Sequence, residues 1–196
     1  MRATRSTATL FAVAALLALT GCGTVKSTIV DGEDRNLMLR GNDPVAYFPE
    51  SKTVKGNPGI KADVNGVTYR FASAANKDTF LKNPARYEPQ YAGFCASGGP
   101  YALKAFIGAD TFAIVEDKLY LYGSPRSRRN WMMDWKDNIR TGDQHWETEM
   151  KDVPFRLQNA KRYVFKVPGY KTDDELDVIF QQRKAAGTLP KEAQGL

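Results

Sequence analysis

The chain is poor in the residues that make enzyme chemistry easy to place. It holds one histidine, His145, and two cysteines, Cys22 and Cys95, in 196 residues. That set cannot by itself close a four-ligand structural zinc site. No G-x-S-x-G elbow, P-loop, dinucleotide-binding glycine fingerprint or H-E-x-x-H pair occurs, so no common hydrolase, nucleotide or zinc-protease signature is present. There is no internal repeat and no low-complexity tract. With 42% hydrophobic and 26% charged residues, the composition is that of one globular domain with appendages. Long apolar runs are also missing. The clearest, Leu10–Leu19, is too short for a standard membrane span of about 20 residues.

What is there begins at the N-terminus. Arg2 and Arg5 precede Leu10–Leu19, which has the length of a signal-peptide apolar region. Leu19-Thr20-Gly21-Cys22 follows directly and resembles the bacterial lipobox. The resemblance implies diacylation of Cys22, cleavage before it and acylation of the new amino terminus. Several acyl chains anchor stably where one does not. Gly23, rather than aspartate, follows the cysteine, which by the same resemblance implies the periplasmic face of a Gram-negative outer membrane. Residues 1–21 are then signal peptide and 22–36 a tether, with a short strand over Ser27–Val30. Losing Arg2 and Arg5 lowers Lys+Arg from 28 to 26 against 22 acids, leaving +4. Arg126, Arg128 and Arg129 read as a solvated helix start, and no interleaving of aromatic and basic residues points to nucleic acid. With Cys22 acylated, Cys95 has no intramolecular disulfide partner. Its neighbours in Tyr91–Ala96 are small or aromatic, which suits a buried thiol.

The domain itself spans 37–150, with a C-terminal extension over 151–196. Asp43-Pro44 marks a turn before Val45–Phe48 enters the core, and Pro49–Gly59 reads as a loop. Asn65-Gly66 between Lys61–Val64 and Val67–Phe71 is a strong hairpin signal, because a type I′ turn needs positive φ at both central positions. Val67, Tyr69 and Phe71 give the second strand an apolar face. Ser73 suits an N-cap, and Pro84 stops the helix that follows. Phe112–Val115 and Leu119–Tyr122 read as a second hairpin. Ser124-Pro125 opens a helix with Trp131, Trp135 and Ile139 on one stripe, closed by Trp146. In the extension, Tyr163–Val167 reads as a strand. Thr172–Glu175 is a capping box for a last helix with Leu176, Ile179 and Phe180 on one face, ended at Gly187. The tail beyond Pro190 reads as disordered. The class is α+β: two hairpins, short helices and a tryptophan-rich helix.

Read together, Arg40-Gly41-x-Asp43-Pro44-Val45-Ala46-Tyr47-Phe48, Asn65-Gly66-x-Thr68-Tyr69-Arg70-Phe71-Ala72-Ser73-Ala74-Ala75-Asn76, Asn83-Pro84-Ala85, Tyr87-x-Pro89-Gln90-Tyr91 and Gly93-Phe94-Cys95-Ala96 resemble the YHS-domain family, in its secreted branch. Lys118–Leu121, Trp131, Asp134, Asn138-Ile139, Asp143 and Trp146 extend the likeness over roughly Leu37–Trp146. The resemblance implies a small α+β domain and an association with metal handling. Metal-associated relatives carry cysteine where this chain has Ala46, Ala72 and Asn76, so the usual soft ligands are missing.

Two functional classes follow. One is a lipid-anchored ligand-binding or interaction module of the cell envelope, taking a small ligand or an envelope protein in an aromatic pocket. The other is a copper- or zinc-type metal site, or a thiol redox site, centred on Cys95 with His145 or Met132/Met133. The candidate site residues are Cys95, His145, Tyr91 and Trp131, beside lipidation at Cys22. No residue is assigned a catalytic role.

Overall fold

The computed structural model describes residues 25–50 and 52–196, so the expected signal peptide and the expected acylation site, Cys22, lie outside the described residues. Asn65 and Gly66 both take positive φ, 53° and 73°, and turn strand β3 (Asn57–Val64) into β4 (Val67–Phe71) as the dipeptide predicts. Val64 faces Val67 and Ala62 faces Tyr69 across the pair. Val67, Tyr69 and Phe71 are buried, as expected. Strand β3 starts at Asn57, so the end of the expected Pro49–Gly59 loop is already strand.

The expected tether is a correction. From Ile29 the chain forms a hairpin, β1 (Ile29–Asp31) and β2 (Asp34–Leu37), and β2 runs parallel to β4. The sheet order is β1-β2-β4-β3. Ion pairs rather than an apolar stripe hold this hairpin. The Arg70 guanidinium on β4 reaches Asp34 at 2.6 Å and Asp31 at 2.6 Å, and Lys61 meets the other Asp34 oxygen at 2.6 Å. Asp34 is buried, and the bond from Lys61, with Arg70 adding to it against the cost of burial, holds its carboxyl below the usual range.

Asp43 joins the sheet to the helices. It is fully buried. Its Oδ1 accepts from the Val45 amide at 2.8 Å, and its Oδ2 accepts from the Ala72 amide and from Asn76 Nδ2, each at 2.7 Å. One carboxylate thus fixes the turn before helix α1 (Tyr47–Glu50), the end of β4 and the first turn of α2 (Ala74–Lys82). Ser73 caps α2 by accepting from the Asn76 amide at 3.1 Å, and Phe80 on that helix is buried against Tyr69 and Phe71. After Asn83 the chain restarts as a one-turn helix, α3 (Pro84–Tyr87), with proline in its first turn.

The second hairpin, β5 (Gly108–Val115) and β6 (Lys118–Tyr122), turns on Glu116-Asp117, both at positive φ. Tyr47 ties the two halves together, its hydroxyl donating to the Ala109 carbonyl at 2.9 Å. Beyond it, Ser124 and Ser127 form a capping box for α4 (Pro125–Met132). The expected single tryptophan helix is two helices. The chain breaks at Asp134 (φ −132°, ψ 38°) before α5 (Trp135–His145). Arg183 fills the break, donating to the Met133 carbonyl at 3.3 Å and to Asp134 Oδ1 at 2.7 Å. Trp131 and Trp135 are buried nonetheless.

The extension differs most from expectation. Tyr163–Val167 is not a strand. Residues Phe155–Val164 form helix α6, whose inward positions beyond Phe155 are polar and therefore showed no helical stripe. The last helix, α7 (Asp173–Ala185), has the Thr172/Glu175 capping box and ends before Gly187 at φ 66°. It docks on α4. Arg126 and Arg129, expected in solvent, both pair with Asp177, and Arg126 also pairs with Asp174. Phe180 is buried under the Arg129 guanidinium. The tail is not free: Leu189 and Ala193 are buried, and a short 3-10 turn covers Lys191–Ala193.

Bonds from Arg126 and Asn130, with Arg129 beside them, hold the Asp177 carboxyl down at about 2. A depressed carboxyl stabilises the fold above its unfolded value of 3.8, and that contribution is lost as pH falls from there towards 2. Asp177→Ala is expected to loosen α7 alone. Limited trypsinolysis at neutral pH then cuts at Lys171 several times faster than in the parent chain, while tryptophan emission from the core is unchanged.

Candidate functional site

The strongest site geometry comes from two left-handed turns packed on each other. Leu39, Arg40 and Gly41 take φ of 56°, 51° and 76°, and Tyr91, Ala92 and Gly93 take 53°, 48° and 81°. Left-handed geometry costs a non-glycine residue roughly 1–2 kcal/mol, so packing must hold these turns in place. Gly93 shows how. Its φ of 81° favours glycine, and the missing side chain lets Met38 Sδ approach, since a Cβ there would lie 2.8 Å from that sulfur.

The second turn aims Tyr91 inward. Its ring lies 5.8 Å from Trp146 and 5.9 Å from Tyr120, centroid to centroid. Its hydroxyl donates to Asp143 Oδ1 at 3.0 Å, and Gly142 leaves room for it, since a Cβ there would sit 2.7 Å from the oxygen. Burial, and then the Asp143 charge, raise the phenol far above its ordinary value, so it is a fixed neutral donor. Tyr91 and Trp146, with Met38, Tyr69, Glu88 and Lys26, line an open cleft of about 500 Å³. Lys26 stands at its rim, donating to the Asn65 carbonyl at 2.6 Å.

The four candidate residues do not share one site. Tyr91 lines this cleft. Trp131 reaches it only through the buried ring of Tyr120, 5.3 Å away, and itself borders a separate polar cavity of about 130 Å³. Cys95 is buried and borders a third cleft of about 360 Å³, shared with Tyr101, Tyr170 and Leu176. Its Sγ accepts from the Gly123 amide at 3.3 Å, and its backbone pairs with Ala105 and bridges to Leu121. His145 is elsewhere, with Nδ1 2.7 Å from Glu149 Oε1. Burial raises the Glu149 carboxyl, but His145, Arg162 and Lys161 together outweigh it and leave it below the usual range. Among the described residues, no three His, Cys, Asp or Glu side chains converge in a geometry that could hold a metal ion.

Ala72 and Asn76, two of the positions at which the resemblance noted above would place cysteine, donate to Asp43. That corner is a hydrogen-bonded joint with its donors already used. The set at this position does not fit a soft metal.

Lys104 escaped the sequence reading. It is buried between the rings of Phe94 and Trp146, 5.0 and 5.2 Å from its Nζ, and donates to the Val153 carbonyl at 2.7 Å. It backs Trp146 and so steadies one wall of the cleft. Nothing in the run Tyr101-Ala102-Leu103-Lys104 marks that lysine as internal; only the distant aromatic rings do. Gly142 and Met38 were likewise invisible as site residues, because their role is steric.

No family model, no curated protein and no solved structure matches this chain.

Burial pushes Lys104 down from 10.5 to about 8. Between those values the unfolded chain binds a proton that the folded chain lacks, so this group makes stability rise with pH across the window. Urea unfolding at a series of pH values is expected to show that rise in the parent chain and a flatter curve in Lys104→Met.

Proposed function

We propose that the chain is a lipid-anchored binding module of the periplasmic face of the outer membrane, of the YHS-domain type, that takes a small partly aromatic or apolar molecule in the Tyr91–Trp146 cleft. The observation that carries this reading is the lining of that cleft. It has an aromatic floor of Tyr69, Tyr91 and Trp146, opposite charges on Lys26 and Glu88, and no cysteine, serine or histidine. Its volume lies in the range of small-molecule sites, roughly 300–1,000 Å³. The faces of Tyr69, Tyr91 and Trp146, with Lys26, Asn65, Glu88 and Gln90 beside them, suit recognition of a small molecule. The lipid anchor rests on the lipobox-like Leu19–Cys22, and the YHS assignment on the motifs from Arg40 to Trp146.

Thermal-shift screening against small aromatic and amphipathic metabolites tests the cleft. Compounds are expected to stabilise the parent chain and to lose that effect in Trp146→Ala, where stacking worth about 1 kcal/mol is removed. Hits that stabilise the variant equally, or no hits, contradict the cleft. The anchor is tested separately. Labelled palmitate is expected to enter the parent chain in a Gram-negative host and not Cys22→Ala; equal labelling overturns acylation at Cys22.

A further inference from the structure

Helix α6 (Phe155–Val164) is built inside out. Its inward side is polar except for Phe155, which stacks on Phe94 and Phe106. Gln158 is fully buried and donates to the Ala102 carbonyl at 2.8 Å. Asn159 exchanges two bonds with the Lys104 backbone, at 3.0 and 2.8 Å, and Arg162 pairs with Glu149. Its outward side carries the apolar residues. Leu157, Tyr163, Val164 and Phe165 are 61%, 78%, 75% and 75% exposed. A helix held by polar contacts that shows its apolar residues outward marks a surface awaiting an apolar partner.

Charge identifies the partner. From Phe155 to Lys171 there are five basic residues and no acid. Lys161 and Arg162 pair with Glu149, while Arg156 and Lys166 have no ion pair among the described residues and flank the exposed aromatics. Bulky apolar side chains among cations suit the boundary of an anionic bilayer, where rings enter the headgroup layer and lysines meet phosphate. The fold supplies the placement. The Val25 amide donates to the Lys151 carbonyl at 3.0 Å, four residues before α6 begins. Cys22 is three residues before Val25, and an extended chain spans about 3.5 Å per residue, so Cys22 lies within about 11 Å of Val25.

We infer that the outward face of α6, with Leu157, Tyr163, Val164 and Phe165 between Arg156 and Lys166, docks on an anionic phospholipid surface. Its placement next to the anchor rests on the acylation proposed above; its apolar and basic character does not. Docking there would fix the orientation of the domain on the membrane instead of leaving it on a loose leash.

The test uses the mature chain, residues 22–196, with Cys22→Ser, so that no acyl chain contributes. Every described contact lies at residue 25 or beyond, and this chain retains all of them. Co-sedimentation with phosphatidylethanolamine–phosphatidylglycerol vesicles is expected, with weaker binding to phosphatidylcholine alone. Tyr163→Ser/Phe165→Ser is expected to lower partitioning about tenfold or more. Arg156→Glu and Lys166→Glu are each expected to lower it about fivefold on the anionic vesicles only. Circular dichroism of the variants should match the parent, since the altered side chains are exposed. Absence of binding to anionic vesicles, or equal binding by the variants, overturns the inference. So does a dimer in solution that the Tyr163→Ser/Phe165→Ser variant dissociates, which would assign the face to a second copy of the chain. Failure of palmitate labelling would leave this result untouched, so the two readings fail separately.

Discussion

The Asp43 carboxylate is the joint on which the domain turns. It gathers three N–H donors, one from Val45 in its own turn and two, from Ala72 and Asn76, from a distant stretch of the chain. Without it the end of β4, the capped start of α2 and the turn into α1 would each lose a charge-assisted hydrogen bond. A buried carboxylate is tolerated because every contact it makes is a charge-assisted hydrogen bond. The joint also explains why Asn76 and Ala72 suit this chain. One contributes a side-chain amide and the other a backbone amide, and a cysteine at position 76 could not make the same bond.

From that joint the geometry propagates outward. The Leu39–Gly41 turn comes just before Asp43 in the chain, and Met38 at its start meets Gly93 of the Tyr91 turn. Tyr91 then relates the cleft to the inner aromatic stack of Tyr120 and Trp131. Cys95 borders a different cleft from the one that Tyr91 lines, and its buried thiol is engaged by the Gly123 amide.

Much of the frame was legible because it uses local rules. Asn65-Gly66, Ser73, Ser124-Pro125 and the Thr172 capping box each act within a few residues, and each formed as read. What escaped was held by distant polar contacts. The β1–β2 hairpin has no apolar period because Arg70 and Lys61 secure it. Helix α6 showed no apolar stripe because Gln158, Asn159 and Arg162 face inward, and its aromatic end, Tyr163-Val164-Phe165, mimicked a strand. The tryptophan helix looked continuous because its stripe survives the break that Arg183 fills. Of the candidate site, Tyr91 was legible from its motif. Trp146 was read as core and proved to be cleft wall. Lys104 and Gly142 were silent, since their meaning depends on rings and hydroxyls brought from elsewhere.

Amide hydrogen exchange at Ala72 tests the central claim most directly. Ala72 lies just past the end of β4 and has no ladder bond there; its amide is held by the Asp43 carboxylate alone. If the joint governs the fold, this amide opens only with the whole domain and exchanges as slowly as those of Val67 and Tyr69 in the strand. Exchange as fast as that of an ordinary loop amide, with the strand still protected, would show that the joint opens freely and that something else holds the domain together.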